Sequence, residues 1–411
     1  MSLQELHSLL IIFVISALSP FLCEWVPRIR LPLVVLEIGL GVVVGPQILG
    51  WAAAGPTIQV LSNFGLAFLF FLAGFEVDFA AIRGRPLILA ALGWLVSFVV
   101  CLGVGLALQG TGLVASGLIV GAALTTTALG TLMPILRDAK ELPTRFGAYA
   151  VAAGAMGEFG PIILIATLLS GSEGEGAHGG SLLLLVLFSA IILAAVVAAL
   201  RVRPPSIVLM LRAKMHTSAQ LPVRVAVLIL AGLVIMARDL GLDAILGALA
   251  AGVVVSLASS GEAGETLRHK IEGIGFGFFV PIFFVTTGLR YDLTALLSSQ
   301  TALILLPVFL MLFLLVRGLP VILIRQDLDG TARMALALIS ATQLPLVVAI
   351  TEIGVRSGNL QTEIAASLVG AGMVSVLIFP IAALTLRRMH AGPSGDVLDP
   401  SHRDSSESSP A

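Results

Sequence analysis

Residues 123–130 run Ala123-Leu124-Thr125-Thr126-Thr127-Ala128-Leu129-Gly130, and residues 341–345 run Ala341-Thr342-Gln343-Leu344-Pro345. Each stretch sits inside a long apolar run, 113–136 and 330–354. Three consecutive threonines beside glycines weaken a helix. Pro345 has no N–H and crowds the preceding turn, so it frees backbone carbonyls. Taken singly, threonine packing and a proline kink are common in membrane helices. Taken as a pair in corresponding runs, they predict two interrupted helices whose opposed ends and freed carbonyls can hold an ion.

Working outward, such runs recur along the chain at 6–26, 31–49, 57–79, 86–109, 113–136, 146–170, 180–200, 222–239, 243–259, 265–289, 299–324, 330–354 and 361–386. Each is near the roughly 20 residues that span about 30 Å of hydrocarbon. The chain is 58% hydrophobic and only 11% charged, against about 25% charged in a soluble domain. With so little charge it cannot cover a globular surface and must keep its apolar surface in lipid. The fold class is therefore an all-α polytopic membrane protein of about 13 transmembrane helices. A net charge of -1 argues against a nucleic-acid partner. Cys23 and Cys101 lie in apolar runs and form neither a disulfide framework nor a metal pair.

Lysine and arginine set the orientation. With the N-terminus outside and the C-terminus cytoplasmic, 19 of the 23 basic residues fall on the inner side. Arg238, Arg290 and Arg356 fall outside. The positive-inside rule favours this topology in a cell (inner) membrane. One basic residue, Arg317, lies within the eleventh run and requires a reason. Residues 391–411, rich in Ser, Pro and Asp, read as a disordered cytoplasmic tail.

An internal echo suggests a repeat. The third run ends Gly74-Phe75-Glu76-Val77-Asp78 and the tenth ends Gly288-Leu289-Arg290-Tyr291-Asp292, each after a Phe-Phe pair. The two runs point in opposite directions, as an inverted repeat requires. The expected organisation is repeat 1 at about 6–170, a linker helix at 180–200 and repeat 2 at about 222–386, within a transmembrane domain 1–390.

Three polar positions converge in depth. At 1.5 Å per residue, Glu158 in Gly157-Glu158-Phe159-Gly160-Pro161 lies roughly 18 Å from the inner end of its run, Thr126 about 15 Å and Gln343 about 20 Å. A carboxylate at the bilayer centre costs several kcal/mol unless it is paired, protonated or ion-bound. Such a group holds either a proton or a transient monovalent cation, and that competition is sufficient for exchange. The alternative is a structural ion pair. Arg317, about 10 Å deep, can reach Glu158 or the broken middle of the fifth run, or else snorkel to the headgroups. The candidate ion and proton site is Glu158, Thr125, Thr126, Thr127, Gly157, Gln343 and Arg317. Glu76 and Thr342 are secondary candidates. Asp239, Asp243, His178 and Glu352 read as structural, and Glu37 is ambiguous.

Four segments carry a family resemblance. They are Leu36 to Pro46 (LEIGLGVVVGP), Leu69 to Asp78 (LFFLAGFEVD), Pro281 to Leu289 (PIFFVTTGL), and the threonine break followed by an acidic sixth helix. Together the chain resembles the monovalent cation:proton antiporters of the Kef and bacterial sodium/proton exchanger type over roughly residues 6–386. The resemblance implies a thirteen-helix fold with a dimerisation domain, hence a homodimer, and a mobile core. Crossed discontinuous helices would flank the ion site, and an elevator-like motion would expose it alternately. It implies no cofactor, only transported H+ and Na+ or K+. The family places an acidic, Gln-Asp or Asn-Asp pair where this chain has Gly157-Glu158, and often a Lys or Arg where it has Arg317. One carboxylate in place of two predicts an electroneutral cycle.

A proton-coupled organic-anion carrier on a similar fold is the rival, with Arg317 clamping a substrate carboxylate. An intramembrane enzyme is disfavoured, since the chain contains no His-Glu-x-x-His and no Gly-x-Ser-x-Gly.

Overall fold

The computed structural model describes residues 2–25, 32–76, 84–112, 114–169, 219–240, 244–259 and 262–390. The helices are α1 (Leu3–Trp25), α2 (Leu33–Val44), α3 (Pro56–Glu76), α4 (Arg85–Gly110), α5 (Gly117–Leu124), α6 (Leu129–Asp138) and α7 (Arg145–Leu169), then α8 (Leu221–Asp239), α9 (Ala244–Ala258), α10 (Glu262–Ile274), α11 (Val280–Arg290), α12 (Leu293–Ser298), α13 (Gln300–Gly318), α14 (Gly330–Ser340), α15 (Pro345–Arg356) and α16 (Thr362–His390). Every expected run is helical except 180–200, which lies outside the described residues together with the linker 201–218, His178, Asp78, Asp243 and the tail. Eight helical stretches among the described residues are long and apolar enough to cross a membrane, and 33–44, 117–133 and 244–258 are shorter apolar helices. Large apolar side chains face outward along α4, Val99 at 67% exposure among them. Water would not tolerate such a stripe, whereas lipid does.

Two bundles account for the packing. In the first, α3 packs on α9, α2 on α11, α8 on α9 and α1 on α2. In the second, α4 packs on α5 and α7, while α16 packs on α13, α14 and α15. The first bundle contains the same helix crossing twice. A Cβ on Gly74 of α3 would strike the Leu249 carbonyl of α9, and one on Gly252 of α9 would strike the Phe71 carbonyl of α3. A Cβ on Gly288 of α11 would strike the Ile38 carbonyl of α2, and one on Gly41 of α2 would strike the Val285 carbonyl of α11. In both crossings each glycine meets a carbonyl three residues before its partner glycine. The sequence echo ending at Gly74 and Gly288 is thus a repeated backbone-to-backbone contact that only glycine permits. Gly65 of α3 lies against Phe283 of α11, whereas Leu72 lies against Gly275, so α3 and the helix leading into α11 run in opposite directions.

The tenth run forms one long helix, 262–290, with a π-helical turn at Gly275–Phe279. Pro281 cannot donate to the carbonyl four residues back, so the ladder widens and Val280 N–H reaches the Gly275 carbonyl. The bulge fits against α3, where Phe279 stacks on Phe68 with ring centroids 4.7 Å apart.

The second bundle holds both interruptions. α5 stops at Leu124 and α6 begins at Leu129; α14 stops at Ser340 and α15 begins at Pro345. Residues 119–129 and 341–350 are buried throughout. The two breaks therefore cross inside protein, where irregular backbone at membrane depth is tolerated.

Candidate functional site

Each break leaves backbone groups that must find partners away from water. They find them in each other and in α7. Thr127 N–H donates to the Gly157 carbonyl at 2.9 Å, and Ala128 N–H to the Thr342 carbonyl at 2.8 Å. The Thr127 hydroxyl donates to the Ser340 carbonyl at 2.6 Å, at the last turn of α14. Gln343 Nε2 donates to the Leu124 carbonyl at 3.1 Å, at the last turn of α5. Gln343 Oε1 accepts from the Thr126 hydroxyl at 2.9 Å. Each break thus caps the helix end of the other. Ser375 of α16 closes the second break, accepting from Gln343 N–H at 3.0 Å and donating to its carbonyl at 2.9 Å. Thr125 and Thr342 turn back on their own helices, to the Ala122 and Leu338 carbonyls.

Glu158 projects from α7 to the start of α6, where its Oε1 accepts from Gly130 N–H at 3.3 Å. Gly130 is in the first turn of α6, whose unused N–H groups and positive dipole end favour an anion. Glu158 is 7% exposed and lines a cavity of about 280 Å³. The cavity runs between the bundles from Pro32, Leu33 and Val34 past Leu69, Phe70, Leu72 and Ala73 of α3 and Phe276, and reaches Thr127, Ala128 and Pro345 at the crossing. A buried carboxylate that lines this cleft and faces a helix N-terminus can exchange a proton for a small cation.

Arg317 takes the second of its expected places. It is 4% exposed. Nε donates to the Thr127 hydroxyl at 3.0 Å, Nη1 to the Ser97 hydroxyl at 3.3 Å and Nη2 to the Ala153 carbonyl at 2.8 Å. All three acceptors are neutral, so Arg317 braces the broken fifth run rather than snorkelling to the headgroups. Ser97 is fixed in turn by donating to the Val316 carbonyl at 2.8 Å. A Cβ on Gly157 would lie 2.5 Å from Thr127 Oγ1 and 2.7 Å from Arg317 Nη2. The space that a side chain at 157 would need is already occupied by that brace.

The structure therefore gathers Thr125, Thr126, Thr127, Gly157, Glu158, Arg317, Thr342 and Gln343 at one crossing. Glu76 ends α3, and its side chain lies outside the described residues. Sequence reasoning missed Ser97, Ser340 and Ser375, single serines in apolar helices with no motif to mark them.

The profile of the family described as "Sodium/hydrogen exchanger, transmembrane" matches residues 13–385. The chain belongs to the sodium/hydrogen exchanger family. It is 27% identical over 409 residues to a putative Na+/H+ antiporter, YjbQ, of Bacillus subtilis, covering 96% of this chain and 65% of that protein. It is 24% identical to the probable Na+/H+ antiporter 3 of Methanocaldococcus jannaschii, covering 90% of this chain and 94% of the other. It is 26% identical to the Na+/H+-K+ antiporter GerN of Bacillus cereus, over 86% and 89%. The chain spans just under two thirds of YjbQ and 37% of the cation/H+ antiporter 20 of Arabidopsis thaliana. Among solved structures, the sodium proton antiporter MjNhaP1 of Methanocaldococcus jannaschii shares the fold, with a TM-score of 0.64 at 14% identity over 94% of this chain and 98% of that one.

Proposed function

We propose that this chain is a secondary transporter that exchanges a monovalent cation, Na+ or K+, for protons by alternating access. The observation that carries the reading is Glu158. It is a single buried carboxylate at the crossing of two interrupted helices, lining a cleft between two bundles. Proton and cation compete for it, and the site is open to one side at a time. The excess of Lys and Arg in alternate loops supports assigning the end where α2 begins to the cytoplasm. Arg317 is not among the residues lining the cleft, which disfavours its use as a substrate clamp in an organic-anion carrier. One titratable carboxylate at the crossing supports one proton per monovalent cation, an electroneutral cycle.

The test is cation-induced proton flux in reconstituted vesicles, with Na+, K+ and Li+ added across a range of pH. The wild type should dissipate a pH gradient on addition of its cation, and Glu158→Gln should not. Undiminished flux in Glu158→Gln would remove Glu158 from the mechanism.

A further inference from the structure

The cleft beside Glu158 is uneven in its chemistry. Phe70, Phe276 and Phe284 line it together with Leu33, Leu69 and Leu346. Phe70 and Phe284 are buried, and Phe276 is 42% exposed. Among the described residues, Glu158 is the charged member of the lining, and Thr127 and Thr131 bring the hydroxyls. The Thr127 hydroxyl is already committed, donating to the Ser340 carbonyl and accepting from Arg317 Nε. An alkali cation that sheds water here finds little oxygen on the walls to replace it. A cation with an apolar body meets a carboxylate for its charge and hydrocarbon for the rest. The phenylalanine rings add to this, because aromatic faces attract an ammonium group. Among the described residues no basic side chain lines the cleft, which fixes the sign of the ligand.

Volume sets the size of that ligand. The cleft holds about 280 Å³, and an apolar cavity of about 150 Å³ takes up benzene. One ring on a short chain, ending in an ammonium group, therefore fits. We propose that the cleft binds a small primary ammonium ion carrying an apolar ring, with its nitrogen at Glu158 and its ring among Phe70, Phe276 and Phe284, in competition with the alkali cation and the proton. The inference deepens the reading of Glu158 as a cation site, and the competition rests on that reading. The ammonium group brings three N–H donors, and its bond to a carboxylate is charge-assisted. Burying the ring adds about ten- to a hundredfold in affinity. A metal ion gains nothing from the same walls.

The probe is phenethylammonium, titrated calorimetrically into the purified protein in nanodiscs, with uptake by empty nanodiscs subtracted. Methylammonium, which lacks the ring, should bind about ten- to a hundredfold more weakly. Phenylethyl alcohol, which lacks the charge, should bind about tenfold or more weakly. This ligand series needs no variant. Glu158→Gln should weaken phenethylammonium binding about tenfold or more, and Phe276→Ala about threefold or more. Phe278→Ala is the control: Phe278 is equally exposed on the same turn but does not line the cleft, and its loss should leave binding unchanged. The transported alkali cation and a lower pH should each raise the apparent Kd. Equal affinity for methylammonium, wild-type binding by Glu158→Gln, or equal losses in Phe276→Ala and Phe278→Ala would overturn the proposal. A Glu158→Gln protein that loses flux but still binds phenethylammonium would sink this inference and leave the transport reading standing. One that keeps flux but loses phenethylammonium would do the reverse.

Discussion

Thr127 N–H is bonded to the Gly157 carbonyl at 2.9 Å, and Gly157 is four residues before Pro161. In an unbroken helix that carbonyl would accept from residue 161. Proline has no N–H, so the carbonyl stays available and the broken fifth span docks on it. The proline in α7 and the threonine break are two halves of one joint. Pro161→Ala supplies a competing donor inside α7. We expect an unchanged or higher melting temperature with exchange slowed about fivefold, since a hydrogen bond is worth about 1 kcal/mol. Thermal unfolding beside vesicle flux would separate the two effects, and a loss of stability with normal flux would contradict the joint.

Gly157→Ala tests whether the brace fills the missing side chain's seat. The added Cβ would lie within 2.7 Å of both Thr127 and Arg317, and overpacking of this kind costs about 1–3 kcal/mol. A Cβ added to Gly130, at the same crossing, would meet no atom within 4 Å. Gly130→Ala should leave the melting temperature within about a degree or two of wild type. Equal stability of the two variants would show that the space at Gly157 is not contested.

Much of this site was legible in the sequence, and what was not has a physical cause. Thr125 to Thr127 and Pro345 announce their breaks because they disrupt a helix whatever surrounds them. Glu158 announces itself by its cost in lipid. Arg317 announced a requirement for partners without naming them, because neutral acceptors such as Ser97 and the Ala153 carbonyl carry no pattern. The glycine echo at Gly74 and Gly288 marked a contact made twice, but its partners, Gly252 and Gly41, lie far away in sequence. Pro161 was visible, yet its effect falls on a carbonyl whose new donor, Thr127, belongs to a different span.

Arg317→Lys should be poorly tolerated despite keeping the charge. A lysine has one nitrogen, and the three acceptors surround a planar fork on α4, α7 and the break. Removing donors leaves buried acceptors unsatisfied at about 1–3 kcal/mol. We expect a lower melting temperature for Arg317→Lys, with Thr127→Val lower as well because Thr127 both accepts from Arg317 and donates to Ser340. Measured together, the two losses should be less than additive, because they break one network. Full additivity would mean that the contacts are independent.

The last expectation concerns charge movement. Among the described residues, Glu158 is the carboxylate that lines the cleft, and Gly157 has no room for a second polar side chain beside it. If one proton is exchanged for one cation, transport moves no net charge, and flux in vesicles should be the same with or without an imposed membrane potential. A potential acts on moved charge at about 2.3 kcal/mol per elementary charge per 100 mV, which would alter an electrogenic gradient about fiftyfold. A valinomycin-clamped potassium potential, applied in both directions while a pH-sensitive dye is followed, makes the comparison for a sodium-driven exchange. Equal rates in both directions would support the single-carboxylate cycle. A rate that follows the sign of the potential would require a second moving charge, and the neutral partners of Arg317 would be the first place to look for how it is released.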